Sequence, residues 1–248
     1  MTDKTSPDFT GMYEYFHLAL NVERLVGGIP KHPDIVRRWQ EARMPPESKR
    51  PADLTVESAT EATVEALGSQ ALDPDEEAKS VWTGFVENPE TGEIALETRN
   101  VKAMFKESAN ILRDMKMMKD LVGKDKAIPL RARLAERLFV FGPSQRGGWH
   151  NSFIPIEVPE ERRALFEVWP PALERPIHVM TARGQRTALK KTDYVDDCSL
   201  EMELKVLNDG IIHEGIIRMI LEHAAMNGLG TDRSQGNGMF SYELTKKS

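Results

Sequence analysis

The sequence predicts an α+β protein built on a ferredoxin-like (RRM-like) βαββαβ core, with long insertions and a C-terminal glycine-rich loop. Three observations carry that expectation. An alternating run near the N-terminus sets Phe16, Leu18, Leu20 and Val22 against His17, Ala19 and Asn21, the period of a half-buried strand. Between Val101 and Leu121, Val101, Met104, Phe105, Ser108, Leu112 and Met115 recur at helical spacing. Near the C-terminus a strand-like run, a helix-like run, a glycine loop and a last strand-like run follow one another, an order that closes an antiparallel sheet.

The first strand, Tyr15 to Val22, runs into Leu25-Val26-Gly27-Gly28-Ile29-Pro30, whose glycine pair and proline end regular pairing. A short helix is expected over Pro33 to Arg43, stopped by Pro45-Pro46. Residues 45–100 then read as an insertion within a single domain spanning 1–248. Its first part, 45–80, has few large apolar residues and is expected to be a mobile surface segment, helical around Val56 to Leu67. Pro89-Glu90-Thr91-Gly92 reads as a hairpin turn joining Val81–Val86 to Glu93–Leu96.

The long helix after Val101 carries Lys102, Lys106, Arg113 and Lys116 as a stripe opposite its apolar face. A basic region follows, in which a strand, Leu138 to Phe141, is closed by Gly142-Pro143. The next loop holds Arg146, Trp149 and His150, and Arg146 with Trp149 could bind a phosphate and stack a base. Prolines from Pro155 to Pro176 suggest an extended connection with a helical turn around Glu160 to Phe166. Arg183, Arg186, Lys190 and Lys191 around Gly184 form a candidate loop for tracking a nucleic-acid backbone, and Asp193, Asp196 and Asp197 read as a solvated acidic turn. Ser199 to Asn208 alternates as a strand with one wet face, Ile212 to Met226 as a helix, and Met239 to Leu244 as the final strand.

Composition narrows the function classes. Across 248 residues, 40% hydrophobic and 29% charged, the balance is that of a soluble globular protein. The polar stretch Met1 to Thr10 has no signal-peptide core, and no apolar run is long enough to span a bilayer, so a cytoplasmic protein without membrane contact is expected. Cys198 is the single cysteine, which excludes an internal disulfide and a cysteine zinc site within one chain. The net charge is −6, yet residues 45–80 hold nine acids against three bases and so contain the whole excess. Elsewhere the charges balance, and cations are free to cluster.

The residues from Gly228 to Gly238 are the most informative stretch. Gly228, Gly230, Gly236 and Gly238 let the backbone take positive φ and lie close to another molecule, while Arg233, Ser234 and Gln235 supply polar side chains. Such a loop suits an anion, and phosphate above all. A nucleotide-cofactor loop of the Rossmann or Walker kind follows a strand and opens a helix. Here the order is helix, loop, strand, which argues against a cofactor.

Gly228-Leu229-Gly230, five residues, then Gly236-Asn237-Gly238 resembles the G-h-G-x5-G-h-G loop of the RAMP (repeat-associated mysterious protein) superfamily of CRISPR-associated RNA-binding proteins. Asn237 replaces the usual hydrophobic residue. The strand ending in Gly27-Gly28, the long helix from Val101 and the cationic segment Arg183 to Lys191 look like features of that superfamily's backbone subunits. The layout, with its acidic insertion, is also similar to phage-encoded proteins of this shape. The resemblance implies a non-enzymatic protein that coats single-stranded nucleic acid, RNA above DNA, as a homo-oligomer or filament, alongside other effector subunits. On that reading the glycine loop, Arg233, the Arg183–Lys191 cations, Arg146 with Trp149, and Lys102 with Lys106 contact the ligand.

Two alternatives stay open at the level of sequence. Some members of the superfamily cleave RNA without a metal. His32, His150 and Asp34 are the catalytic candidates here, since a histidine near a phosphate can deprotonate a 2′-hydroxyl. No metal-ligand spacing and no nucleophile with a partner are recognisable. The other alternative is a protein-binding inhibitor that acts through its acidic insertion.

Overall fold

The structure is a computed structural model that describes residues 11–46, 49–51, 53–73, 80–123, 129–144, 149–181 and 184–247. For Ser80, Trp149, His150, 178–181, 184–186 and Ala188 the description is of the backbone alone. The chain is α+β, as the alternation of strand-period and helix-period runs predicts.

Its principal sheet has eight strands organised around one of them. That strand, β10 (Gly184–Leu207), is 24 residues long and changes neighbours halfway. Its C-terminal half pairs antiparallel with β1 (Tyr13–Val26) on one side and with β6 (Leu138–Pro143) on the other. Beyond β1 lies β11 (Phe240–Lys246), also antiparallel, so the strand order here is β11, β1, β10, β6. The N-terminal half of β10 pairs with β9 (Ala172–Thr181) and, in parallel, with β3 (Ser80–Gly84). The two-residue β2 (Ile29–Pro30) adds to β3, and β7 (Trp149–Asn151) adds to β6.

Alternation puts Phe16, Leu18, Leu20 and Val22 on the same face as Leu200, Met202, Leu204 and Val206, and all eight are buried. Two amphipathic helices complete that core. In α3 (Thr98–Leu112) the buried positions are Val101, Met104, Phe105, Ser108, Ala109 and Leu112. In α7 (Glu214–Asn227) they are Ile216, Ile217, Ile220, Leu221 and Ala224. Ser108 accommodates its burial by pairing its hydroxyl with His223 Nδ1 at 3.1 Å.

Around this core stand α1 (Pro33–Arg43), α2 (Val56–Leu67), α4 (Lys116–Val122), α5 (Leu130–Arg137) and the single turn α6 (Glu160–Arg163). A small second sheet joins β4 (Val86–Glu87), β5 (Ile94–Glu97) and β8 (Phe153–Pro155). No helix among the described residues is long and apolar enough to cross a membrane.

Several sequence expectations need correction. The segment from Gly184 to Lys191 is strand, not loop, because β9 pairs with it along its whole length and β3 joins on the other side from Leu189 onward. Asp193 is not in a solvated turn. It is fully buried in β10, where Lys31 Nζ meets it at 2.8 Å and the Trp82 indole N–H donates to it at 2.6 Å. The helix read from Val101 to Leu121 breaks after Leu112 and restarts as α4, although no proline or glycine marks the break. The hairpin around Pro89 joins β4 to β5, while Ser80–Gly84 leaves it to pair with β10. Helix α2 is not a loose appendage, since Leu67 is fully buried and Thr63 receives a hydrogen bond from Gln40 of α1 at 2.7 Å.

Candidate nucleic-acid interface

The glycine loop folds back on itself and is stapled to the end of β1. Leu229 N–H donates to Gly238 C=O at 2.8 Å, Gly238 N–H to Arg24 C=O at 2.7 Å, and Thr231 N–H to Val26 C=O at 3.2 Å. Glycine is required at Gly228 and Gly238. Their φ values are +82° and +80°, and an added Cβ would stand 2.5 Å from Asn237 O and 1.9 Å from Leu229 O. Leu229 is 2% exposed and anchors the loop in the core. Asn237 is also buried, at 7%, and its side-chain amide donates to Asp232 C=O at 3.1 Å. An internal hydrogen bond thus occupies the place where the motif has an apolar side chain, and it holds Asp232 in the left-handed conformation at φ +54°.

The Gly27-Gly28 turn packs against this loop and against the end of β3. An added Cβ on Gly27 would stand 2.4 Å from the Gly84 carbonyl carbon, and one on Gly28 would stand 2.3 Å from the Thr231 methyl. Three backbones meet here with almost no side chain between them.

Together with α1 and the first turns of α3 they line a cleft of about 350 Å³. Trp39 and Arg43 come from α1, with the Arg43 guanidinium 4.3 Å from the centre of the Trp39 ring. Arg99, Ala103 and Glu107, at successive i, i+4 positions of α3, also line it, and Arg233 joins them from the glycine loop. Each of the last two arginines is held by a carboxylate. Arg99 contacts Glu97 at 2.5 Å, and Arg233 makes two hydrogen bonds to Glu107 at 2.9 and 3.2 Å. The cleft therefore presents an aromatic ring, bare backbone and three guanidiniums against two carboxylates.

The predicted site residues fall in different places. Gly228, Gly230 and Arg233 line this cleft. Ser234 and Gly236 are exposed on the loop, and Gln235 bonds to Arg175. Lys190 turns to Asp232 at 3.0 Å, while Lys191 lies 3.8 Å from the Trp82 ring centre on the other face of β10. Lys102 and Lys106 are not among the cleft residues. Lys102 sits 5.1 Å from the Phe139 ring centre, and burial, with Lys106 nearby, draws its pKa below the usual lysine range. Arg146 and Arg183 lie outside the described residues, and only the backbones of Trp149, His150 and Arg186 are described.

Of the catalytic candidates, His32 is 3% exposed and caps α1, its Nδ1 accepting from Asp34 N–H at 3.2 Å. Asp34 occupies the first turn of the same helix. Sequence reasoning missed Trp39, Arg43, Arg99 and Glu107. The i, i+4 stripe of Arg99, Ala103 and Glu107, beside the buried face of α3, is the one local signal that could have drawn attention to them.

No protein-family model matches the chain, and no curated protein matches it. Among solved structures it is similar to a chain of the type III-B Cmr-beta complex bound to cognate target RNA, determined by cryo-electron microscopy. There the identity is 9% and the TM-score 0.40, over 96% of this chain and 61% of that one. It thus spans less than two thirds of that longer chain. It is also similar to a chain of the type IV-B CRISPR complex, with 10% identity and a TM-score of 0.42 over 93% of this chain and 90% of that one.

Proposed function

We propose that the protein binds single-stranded nucleic acid, RNA above DNA, by seating a nucleotide in the cleft between the Gly27-Gly28 turn, the glycine loop and α3. One observation carries the reading: the same cleft joins an aromatic ring, three arginines and side-chain-free backbone. Single-strand binding needs those components, because bases stack on rings while guanidiniums and amide N–H groups meet phosphates. In this reading Trp39 stacks a base, and Arg99 and Arg233 exchange their carboxylate partners for phosphate oxygens. The strand order β11, β1, β10, β6, with α3 and α7 covering one face, is taken as the ferredoxin-like core of a single RAMP-like domain, with 45–100 inserted in it.

The protein acts, on this account, as a self-associating backbone subunit that coats its ligand. Exposed apolar residues support that part. Ile111 of α3, Met115 just before α4, Met117 and Leu121 of α4, and Met226 at the end of α7 are 41–75% exposed, and exposed apolar surface is what a self-associating subunit would bury.

Fluorescence anisotropy with short single-stranded RNA and DNA at two salt concentrations tests the reading. Saturable binding that weakens with salt is expected, and absence of binding at low salt overturns it.

A further inference from the structure

Helix α1 carries two neighbouring stripes. Trp39 and Arg43, one turn apart, line the cleft. Val36 and Gln40, also one turn apart, make the next stripe round the helix. Among the described elements the main packing partner of α1 is α2, and its other one is β2, which precedes it directly in the chain. The two helices bury one apolar side chain each, Val36 and Leu67, both completely. Neither belongs to the hydrophobic core that the main sheet shares with α3 and α7. The placement of α1, and with it of Trp39 and Arg43, therefore depends on α2 more than on the central core.

A polar lock sits in that contact. The Gln40 amide donates to the Thr63 hydroxyl oxygen at 2.7 Å and to Ala59 C=O at 3.4 Å, and the Thr63 hydroxyl donates in turn to Ala59 C=O at 2.8 Å. Thr63 is buried, so a lost partner there is not replaced freely by water.

Helix α2 is itself fastened to the frame. Thr55 and Ser58 close its N-terminus with a reciprocal capping box. Past its C-terminus, Leu72 N–H donates to Lys31 C=O at 3.0 Å and Gln70 accepts from Lys31 Nζ at 3.2 Å, while the Ser69 hydroxyl bonds to Glu87 of β4. Lys31 is the buried partner of Asp193 in β10, so these bonds tie the end of α2 to the main sheet. The acids of α2 take no part in the contact. Glu57, Glu61 and Glu65 are exposed and stand two residues, or about 200°, from Ala59 and Thr63. They occupy the side of α2 turned away from Gln40.

We propose that α2, in the acidic insertion, is the buttress of the nucleotide seat, and that Gln40 and Thr63 are positioning residues that hold Trp39 and Arg43 in the cleft. The inference rests on the cleft reading. It makes the insertion, whose charge alone would repel nucleic acid, a part on which binding depends.

The test uses the full chain with Thr63→Val, which keeps the branched shape but removes the hydroxyl that Gln40 needs, and Thr63→Ser, which retains it. At a temperature where all variants are folded, T63V is expected to weaken single-stranded RNA binding about fivefold, the size of one hydrogen bond, and T63S to bind as the wild type does. In a W39A background T63V is expected to cost nothing further, because the two changes act through the same side chain. Fluorine NMR of protein labelled with fluorotryptophan supplies a readout without RNA. The Trp39 signal, assigned by its absence from W39F, is expected to shift or broaden in T63V and to stay in place in T63S. A loss of stability alone would leave that signal where it is and would weaken binding by the same factor in both backgrounds. An unmoved Trp39 signal in T63V, or an equal loss of binding with and without Trp39, would overturn the proposal. Failure of the wild type to bind RNA would count against the cleft reading, and the fluorine signal would still decide whether α2 positions Trp39.

Discussion

Arg233, on the glycine loop, is clamped by Glu107 of α3 through two parallel hydrogen bonds of 2.9 and 3.2 Å. The guanidinium expected to meet phosphate is therefore already engaged by a carboxylate, half-exposed at the mouth of the cleft. Exposed pairs of this kind contribute little, about 0–1 kcal/mol, so exchange for a phosphate is energetically open. Glu107→Gln is expected to tighten single-strand binding severalfold, and Arg233→Ala to weaken it about tenfold, with a salt slope smaller by about one. Anisotropy titrations over a salt series check both.

Trp39 gives a second handle on the same cleft. A stacked base contributes about 1–3 kcal/mol, so Trp39→Ala is expected to weaken binding at least fivefold without changing the salt slope. An equal loss for Trp39→Phe would argue against stacking, because phenylalanine keeps a ring at that position.

Two glycines of the loop separate architecture from backbone strain. Gly238→Ala places a Cβ 1.9 Å from Leu229 O, whereas Gly236→Ala, at φ +81°, meets nothing within 4 Å. The second change is expected to cost about 1 kcal/mol, the ordinary penalty for a left-handed non-glycine residue, and the first markedly more. Urea unfolding of the two variants reads the difference.

The buried pair of Lys31 and Asp193 holds β2, β3 and β10 together. Asp193→Ala removes the acceptor of both Lys31 and the Trp82 indole and leaves two buried donors without it, and is expected to cost about 3 kcal/mol at neutral pH. Burial pushes the Asp193 carboxyl above the usual carboxylate range, against the pull of Lys31. Its contribution is therefore most favourable in acid and declines as pH rises through the raised value, which is the sign expected of an acid whose folded pKa exceeds its unfolded one. Unfolding free energies across pH should show that decline in the wild type and not in D193A.

Cys198 is 2% exposed, and burial raises its thiol pKa to about 12. The native protein should resist a thiol reagent at mildly alkaline pH and react with one equivalent once unfolded. Rapid labelling of native protein would show that β10 opens locally.

Much of the frame was legible because its signals are local. Helix α1 spans Pro33 to Arg43 as read, since a proline at the first helical position and Pro45-Pro46 after its end punctuate it. The central strands and α7 declare themselves by period. The cationic segment before Asp193 misled because positive charge resembles a solvated loop, whereas here β9 and β3 absorb its backbone and Lys191 finds Glu174. Asp193 misled for the same reason, its partner Lys31 lying 162 residues away. The cleft was half legible. Its glycine wall is written in one stretch, but Trp39, Arg43 and Arg99 come from helices whose approach is set by tertiary packing, and no spacing links them to Arg233.

Photo-crosslinking tests the central claim most directly, with single-stranded RNA carrying a photoreactive uridine and the attached peptides mapped by mass spectrometry. The account predicts adducts on the segments that build the cleft, around Trp39, the first turns of α3 and the Gly228–Gly238 loop, reduced in both W39A and R233A. Adducts confined to other surfaces, or adducts indifferent to both substitutions, would contradict it.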